Sequence, residues 1–104
     1  MNRKPINGFP WMFFTMKAMV LCGSGNGAQM TANHHPRVRA ALCWNVELGK
    51  LARQHNNANM IAIGAGFTGP KLASAMVQAF LSTEFEGGRH QRRVDLIMDI
   101  ENRN

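Results

Sequence analysis

The sequence predicts an α/β domain built on a small parallel sheet. Short apolar runs lie at Ala18–Leu21, Val38–Cys43 and Met60–Ile63, each followed by a stretch that can be helical. Glycine- and asparagine-rich turns separate these units. Such runs suit strands buried on both faces, and strand–helix alternation implies parallel strands joined by right-handed crossovers.

The first run passes straight into Cys22-Gly23-Ser24-Gly25-Asn26-Gly27. Its glycines let the chain turn sharply and group several N–H donors together. Ala28–Asn33 can be helical, which sets those donors at a helix N-terminus that favours negative charge, with the Cys22 thiol at its lip. This is the layout of a ligand site at the carboxyl end of a parallel strand. Gly23, Gly25 and Ala28 also satisfy a loose dinucleotide-binding pattern. That reading needs an acid at the end of the next strand, where Trp44-Asn45 stand instead. A tight turn without a ligand is the competing reading.

The second strand ends at Cys43, read as a small apolar core residue, and Asn45 caps a helix running to His55. Val46, Leu48, Leu51 and Ala52 form its apolar face. The third strand ends at Gly64, and a loop leads to Thr68 or Gly69 as cap of a helix with Pro70 in its first turn. Leu72, Ala73, Met76, Val77 and Phe80 recur there at helical spacing and read as core. After Gly87-Gly88 a last helix spans about Arg89–Glu101, with Val94, Ile97 and Ile100 on its buried side. Residues 1–16, with Phe9, Trp11, Phe13 and Phe14, fit neither periodicity, and the eight methionines suggest irregular packing. The expected organisation is an atypical leader over 1–17 and a single α/β domain over 18–104.

Composition narrows the class. At 104 residues, 45% hydrophobic and 17% charged, the chain fits one small globular domain. Two cysteines without a Cys-x-x-Cys pair argue for reduced thiols in a cytoplasmic setting. No apolar run approaches the roughly 18 residues of a membrane span, so no membrane partner is expected. The net charge of +6 is uneven: no acid precedes Glu47, and five of the six lie from Glu84 onward. No nucleic-acid motif or basic stripe with interleaved aromatics accompanies it, so an anionic small substrate is the better match and no nucleic-acid partner is expected. Adjacent His34 and His35 rarely face one ion together and have no nearby carboxylate, so no metal is assigned to them.

Four motifs then stand in order: Cys22–Gly27, Arg39-Ala40-Ala41-Leu42-Cys43, Ala52–Asn59 and Phe85-Glu86-Gly87-Gly88-Arg89-His90-Gln91-Arg92-Arg93. With them, Val20 to Glu101 resembles the carboxyl-terminal part of ribose-5-phosphate isomerase type B, within the ribose/galactose isomerase family. The resemblance implies a three-layer α/β/α Rossmann-like parallel sheet, with about three of the usual five strands. It also implies aldose–ketose interconversion of a phosphorylated sugar through an enediolate, without metal or organic cofactor.

Each motif suits that chemistry. Cys22 matches the family's base, and a thiol beside a helix N-terminus has its thiolate favoured. The resemblance assigns the N–H groups around Gly23, Ser24, Gly25, Asn26 and Gly27 to the substrate oxygens, with Ser24 orienting thiol or substrate. It makes His55 an aid to ring opening in a neighbouring subunit's site, beside Asn56. A histidine at a helix terminus otherwise serves as a dipole partner. Arg89 and Arg93, four apart on one helical face, suit a phosphate clamp, with Arg92 on another face as a solvated charge. Neutralisation of these arginines by Glu84 and Glu86 is the alternative.

Two features depart from the family. Nothing in Met1–Lys17 matches its first strand with an Asp-His pair, so the chain is expected to be an amino-terminally truncated copy. Gly66 stands where an arginine commonly reaches a partner's phosphate. Alternative readings are a galactose-6-phosphate isomerase subunit and a non-catalytic fragment that pairs with a full-length isomerase. A homodimer or larger homo-oligomer is expected, with Phe80, Phe85, Val94, Ile97 and the leader as apolar surface. Arg89 and Arg93 of one chain would then approach His55 of another.

Overall fold

The computed structural model describes residues 16–103; residues 1–15, most of the expected leader, and residue 104 lie outside the described residues. Three strands, β1 (Ala18–Cys22), β2 (Ala40–Leu42) and β3 (Met60–Gly64), form one parallel sheet in the order β1-β3-β2. The helices are α1 (Asn26–Ala32), α2 (Val46–Asn56), α3 (Pro70–Ser82) and α4 (Arg89–Asn102).

β3 lies at the centre and is buried from Ile61 to Gly64. Alternation along it divides the layers. Ile61 and Ile63 join Cys43, Ala52, Ala58, Met76 and Phe80 in a core shared with α2 and α3. On the opposite face, Val20, Cys22 and Met60 line a cleft together with Ala28, Thr31 and Ala32 of α1. The expected α/β/α layering therefore forms, with three strands among the described residues.

Side chains complete what the short ladder leaves open. Asn33 imitates a neighbouring strand: its Oδ1 accepts from Ala40 N at 2.8 Å and its Nδ2 donates to Ala40 O at 3.0 Å. This covers the start of β2, which is a sheet edge among the described residues. Asn59 treats the preceding residues likewise, accepting from Arg39 N and donating to Arg37 O, both at 2.8 Å. These side-chain bonds explain why β2 starts two residues later than its apolar run. Asn45 caps α2 as expected, its Oδ1 accepting from Leu48 N at 2.8 Å. Gly69, rather than the buried Thr68, caps α3.

Two buried arginines clamp the turn after α2. Arg39 donates to Asn57 O through Nε at 3.1 Å and Nη2 at 2.9 Å, and through Nη1 to Met98 Sδ at 3.3 Å. Arg53 donates to Thr83 O at 3.0 Å, Asn57 Oδ1 at 2.9 Å and Ala58 O at 2.6 Å. Asn57 itself sits at φ 48°, the left-handed conformation that ends the helix. Burial lowers both guanidinium pKa values, with Glu101 opposing the shift at Arg39 and Glu84 opposing it at Arg53.

Several expectations about packing are corrected. The buried stripe of α4 is His90, Val94 and the half-buried Met98, turned from the expected Val94, Ile97 and Ile100. Ile97 is 41% and Ile100 60% exposed. The helix is held by polar contacts, Arg39 on Met98 and Arg37 N on Glu101 Oε1 at 2.8 Å, so apolar spacing did not choose its face. Phe80 and Val94 are buried, as their core readings require, and so offer no surface for association, whereas Leu72 of α3, expected in the core, is exposed.

Gly64 and Gly25 join the sheet to the first loop. A Cβ on Gly64 would lie 2.5 Å from Ser24 O and 2.7 Å from Ser24 C, both backbone atoms that cannot swing aside. Gly64→Ala should therefore cost about 1–3 kcal/mol by overpacking. Gly27→Ala, in open space within α1, should be neutral or stabilising by up to about 1 kcal/mol. Urea unfolding of the two variants checks the contrast.

Candidate active site

The first cluster stands at the carboxyl ends of the strands. Gly25, at φ 84°, caps α1, and a Cβ there would meet Leu42 Cδ1 at 2.5 Å and Gly64 N at 3.0 Å. That close seat turns the loop back over Cys22: Gly25 N donates to Cys22 Sγ at 3.2 Å. Asn26 N donates to Ser24 Oγ at 3.2 Å, so the hydroxyl supports the turn. The loop after β3 fastens the same segment, with Ala65 N donating to Cys22 O at 2.8 Å and Gly66 N to Gly23 O at 2.9 Å.

Hydrogen bonding by the backbone N–H of Ala28 lowers the Cys22 pKa. The N–H groups of Gly25, Ser24 and Gly27 add to this effect and outweigh the opposing desolvation. The thiol opens onto a cleft of about 670 Å³ between β1 and α1, with Leu21, Thr31 and His35 among its walls. Cys43, by contrast, is 2% exposed and desolvation pushes its pKa up to about 11. Two cysteines of one chain thus have opposite chemistry.

The second cluster lies at the amino ends of the strands. α2 starts beyond the carboxyl end of β2 and returns His55 and Asn56 to the start of β3. α4 packs beside that end of α2. His90 stacks on His55 with ring centroids 4.2 Å apart and planes 12° from parallel. Arg93 Nη1 donates to His55 O at 3.3 Å and stands 3.4 Å from His90 Nδ1. Glu86 Oε1 lies 3.5 Å from His90 Nε2, and Glu86 N donates to Gln54 O at 3.1 Å. Desolvation lowers the His90 pKa, with His55, Arg89 and Arg93 adding to the shift and Glu86 opposing it.

The structure thus gathers Cys22, Gly23, Ser24, Gly25, Asn26 and Gly27 at one end, and His55, Asn56, Arg89 and Arg93 at the other. Four residue steps of β3 at ~3.3 Å each hold the two ends ~13 Å apart within one chain. Arg93 and His55 are neighbours inside a single chain. Both belong to helix ends that pack on the same side. His90 was not singled out in the sequence, although its place four residues after Glu86 and three before Arg93 is the signal that finds it.

His55, Glu86 and His90 also present ligand atoms within 4.8 Å of one another. Near-parallel stacked rings aim their lone pairs side by side, and Arg93 faces one of them, so this geometry favours a hydrogen-bonded cluster over a metal centre. Among the described residues, no helix is long and apolar enough to cross a membrane.

Residues 15–97 match the family model described as Ribose/Galactose Isomerase. The chain belongs to this family. Its similarity to ribose-5-phosphate isomerase B of Mycolicibacterium paratuberculosis is 48% identity over 80% of this chain and 53% of the relative. For the Escherichia coli ribose-5-phosphate isomerase B the figures are 41%, 82% and 57%. The solved ribose-5-phosphate isomerase B of Clostridium thermocellum superposes with a TM-score of 0.82 at 41% identity, over 84% of this chain and 59% of that one. The chain thus spans just over half the length of the curated relatives it matches.

The difference between the two thiols is measurable in this ribose/galactose isomerase family member. Alkylation of the native chain by iodoacetamide, followed site by site by mass spectrometry across pH 6–10, should label Cys22 with a midpoint below the ordinary thiol range. Cys43 should react only on unfolding. Equal labelling of both would contradict the environments described.

Proposed function

We propose that this chain carries out aldose–ketose isomerisation of a phosphorylated sugar, with ribose 5-phosphate as the substrate that its relatives' names suggest. The observation that carries the reading is the Cys22 thiol, held by backbone N–H groups at the open end of the sheet. As thiolate, Cys22 would take the proton from C2 of the open-chain aldose. The electron pair moves into a 1,2-enediolate whose oxygens accept from the N–H groups of the Gly23–Gly27 loop. Return of the proton to C1, with transfer of the O2 hydroxyl proton to O1, gives the ketose. Ser24 orients the reacting groups, and no metal or organic cofactor enters the steps.

His55 and Asn56 would assist ring opening, and Arg89 with Arg93 would hold the phosphate. Because these groups stand ~13 Å along the strands from Cys22 of the same chain, the reading requires a homodimer or higher homo-oligomer. The amino-end cluster of one copy then faces the Cys22 loop of another. Exposed Ile97, Ile100 and Leu96 on α4 offer apolar area for such association. Gly66 supplies no phosphate donor, and its backbone instead braces Gly23.

The test is incubation of the purified chain with ribose 5-phosphate in D2O, followed by proton NMR. Formation of ribulose 5-phosphate with deuterium entering the sugar is expected, and Cys22→Ala should lower the rate by ~10²–10⁴-fold. Turnover of galactose 6-phosphate alone would transfer the assignment to that substrate. A folded chain that converts neither would overturn the catalytic reading in favour of a non-catalytic partner of a full-length isomerase.

A further inference from the structure

His90 is the most enclosed polar side chain of the second cluster, and the mechanism above gives it no task. It is 6% exposed, yet it touches three groups with separate roles. Its ring lies flat on His55 at 4.2 Å. Its Nδ1 faces Arg93 Nη1 at 3.4 Å, and its Nε2 faces the Glu86 carboxylate at 3.5 Å.

These partners assign its tautomer. A guanidinium only donates, so Nδ1 must present its lone pair to Arg93. The remaining proton is then on Nε2, where the carboxylate accepts it. A doubly protonated ring would aim Nδ1–H at Arg93 and set a charge against His55. The positive groups facing the ring are Arg93 and Arg89 on α4 and His55 on α2 when protonated; Glu86 is the single opposing charge among them. Arg93 meanwhile uses Nη1 for both His55 O and His90 Nδ1, which leaves its Nε–Nη2 edge open for a bidentate anion.

We propose that His90 is a positioning residue that acts as a neutral Nε2–H imidazole. It holds the His55 ring by stacking and aims the Arg93 guanidinium by accepting from it. The proton-transfer group and the phosphate anchor are thereby locked in one arrangement before substrate arrives. The roles of His55 and Arg93 in this statement rest on the isomerase reading; the coupling of the three side chains does not.

The experiment uses the full chain. Long-range proton–nitrogen NMR of the wild type at pH 7.5 should show His90 neutral with its proton on Nε2. A proton on Nδ1, or a charged ring, overturns the proposal. Two variants then separate the contacts. His90→Phe keeps a flat ring under His55 but offers Arg93 no acceptor, whereas His90→Gln keeps an acceptor and loses the ring.

Inorganic phosphate serves as the probe for Arg93. Its affinity should fall several-fold in His90→Phe and hold in His90→Gln. The upfield ring-current shift of the His55 protons should persist in His90→Phe and vanish in His90→Gln. In turnover, His90→Phe should raise KM with kcat nearly kept, and His90→Gln the reverse. Folded variants that change together, or not at all, in phosphate affinity and ring shift overturn the proposal. The predicted tautomer and crossed pattern in a chain without isomerase activity would uphold it while removing the isomerase reading.

Discussion

The guanidinium groups of Arg39 and Arg53 close on one short stretch of chain, Asn57-Ala58, and through it hold four elements in place. Arg39 immediately precedes β2 and also reaches Met98 of α4; Arg53 comes from α2 and also reaches Thr83 after α3. Their partners are carbonyl oxygens, an amide oxygen and a thioether rather than carboxylates. A charged donor satisfied by several fixed acceptors forms directional bonds, and removing one would leave buried carbonyls unpaired. The turn they fix follows His55-Asn56 directly, so the position of the amino-end cluster depends on this clamp.

The second determinant is strand polarity. In a parallel sheet every strand delivers its following loop to the same end, and every returning helix delivers its last turn to the other. Cys22 therefore belongs to the carboxyl end and His55 to the amino end. The two clusters differ in construction to match. At the carboxyl end, close backbone approach between Gly25, Gly64 and Ser24 groups N–H donors around a thiol. At the amino end, side chains of α2 and α4 stack and hydrogen-bond above the clamp.

Much of this was legible in the sequence. The three strands, the Asn45 cap and the Cys22 loop follow from apolar runs, a capping side chain and spaced glycines, all of which are local signals. The face of α4 was not legible, because Ile97 and Ile100 have the right spacing for a core. Polar contacts from Arg37 and Arg39, distant in sequence, decide instead that His90, Val94 and Met98 turn inward. The late start of β2 escaped for the same reason, since Asn33 and Asn59 supply side-chain bonds that no periodicity records. Only the packing of α4 on α2 brings His55 and Arg93 together and adds His90 to them. The leader's part in the fold concerns residues outside those described.

The central claim is that the Cys22 loop of one copy works with the His55 cluster of another. Mixing two inactive variants, Cys22→Ala and His55→Ala, tests it directly. Mixed pairs would hold one site with both groups intact and one with neither. Random pairing of equal amounts should then restore about a quarter of the wild-type activity in ribose 5-phosphate conversion. A mixture no more active than its separate components, with both variants folded and associating, would contradict a site shared between chains.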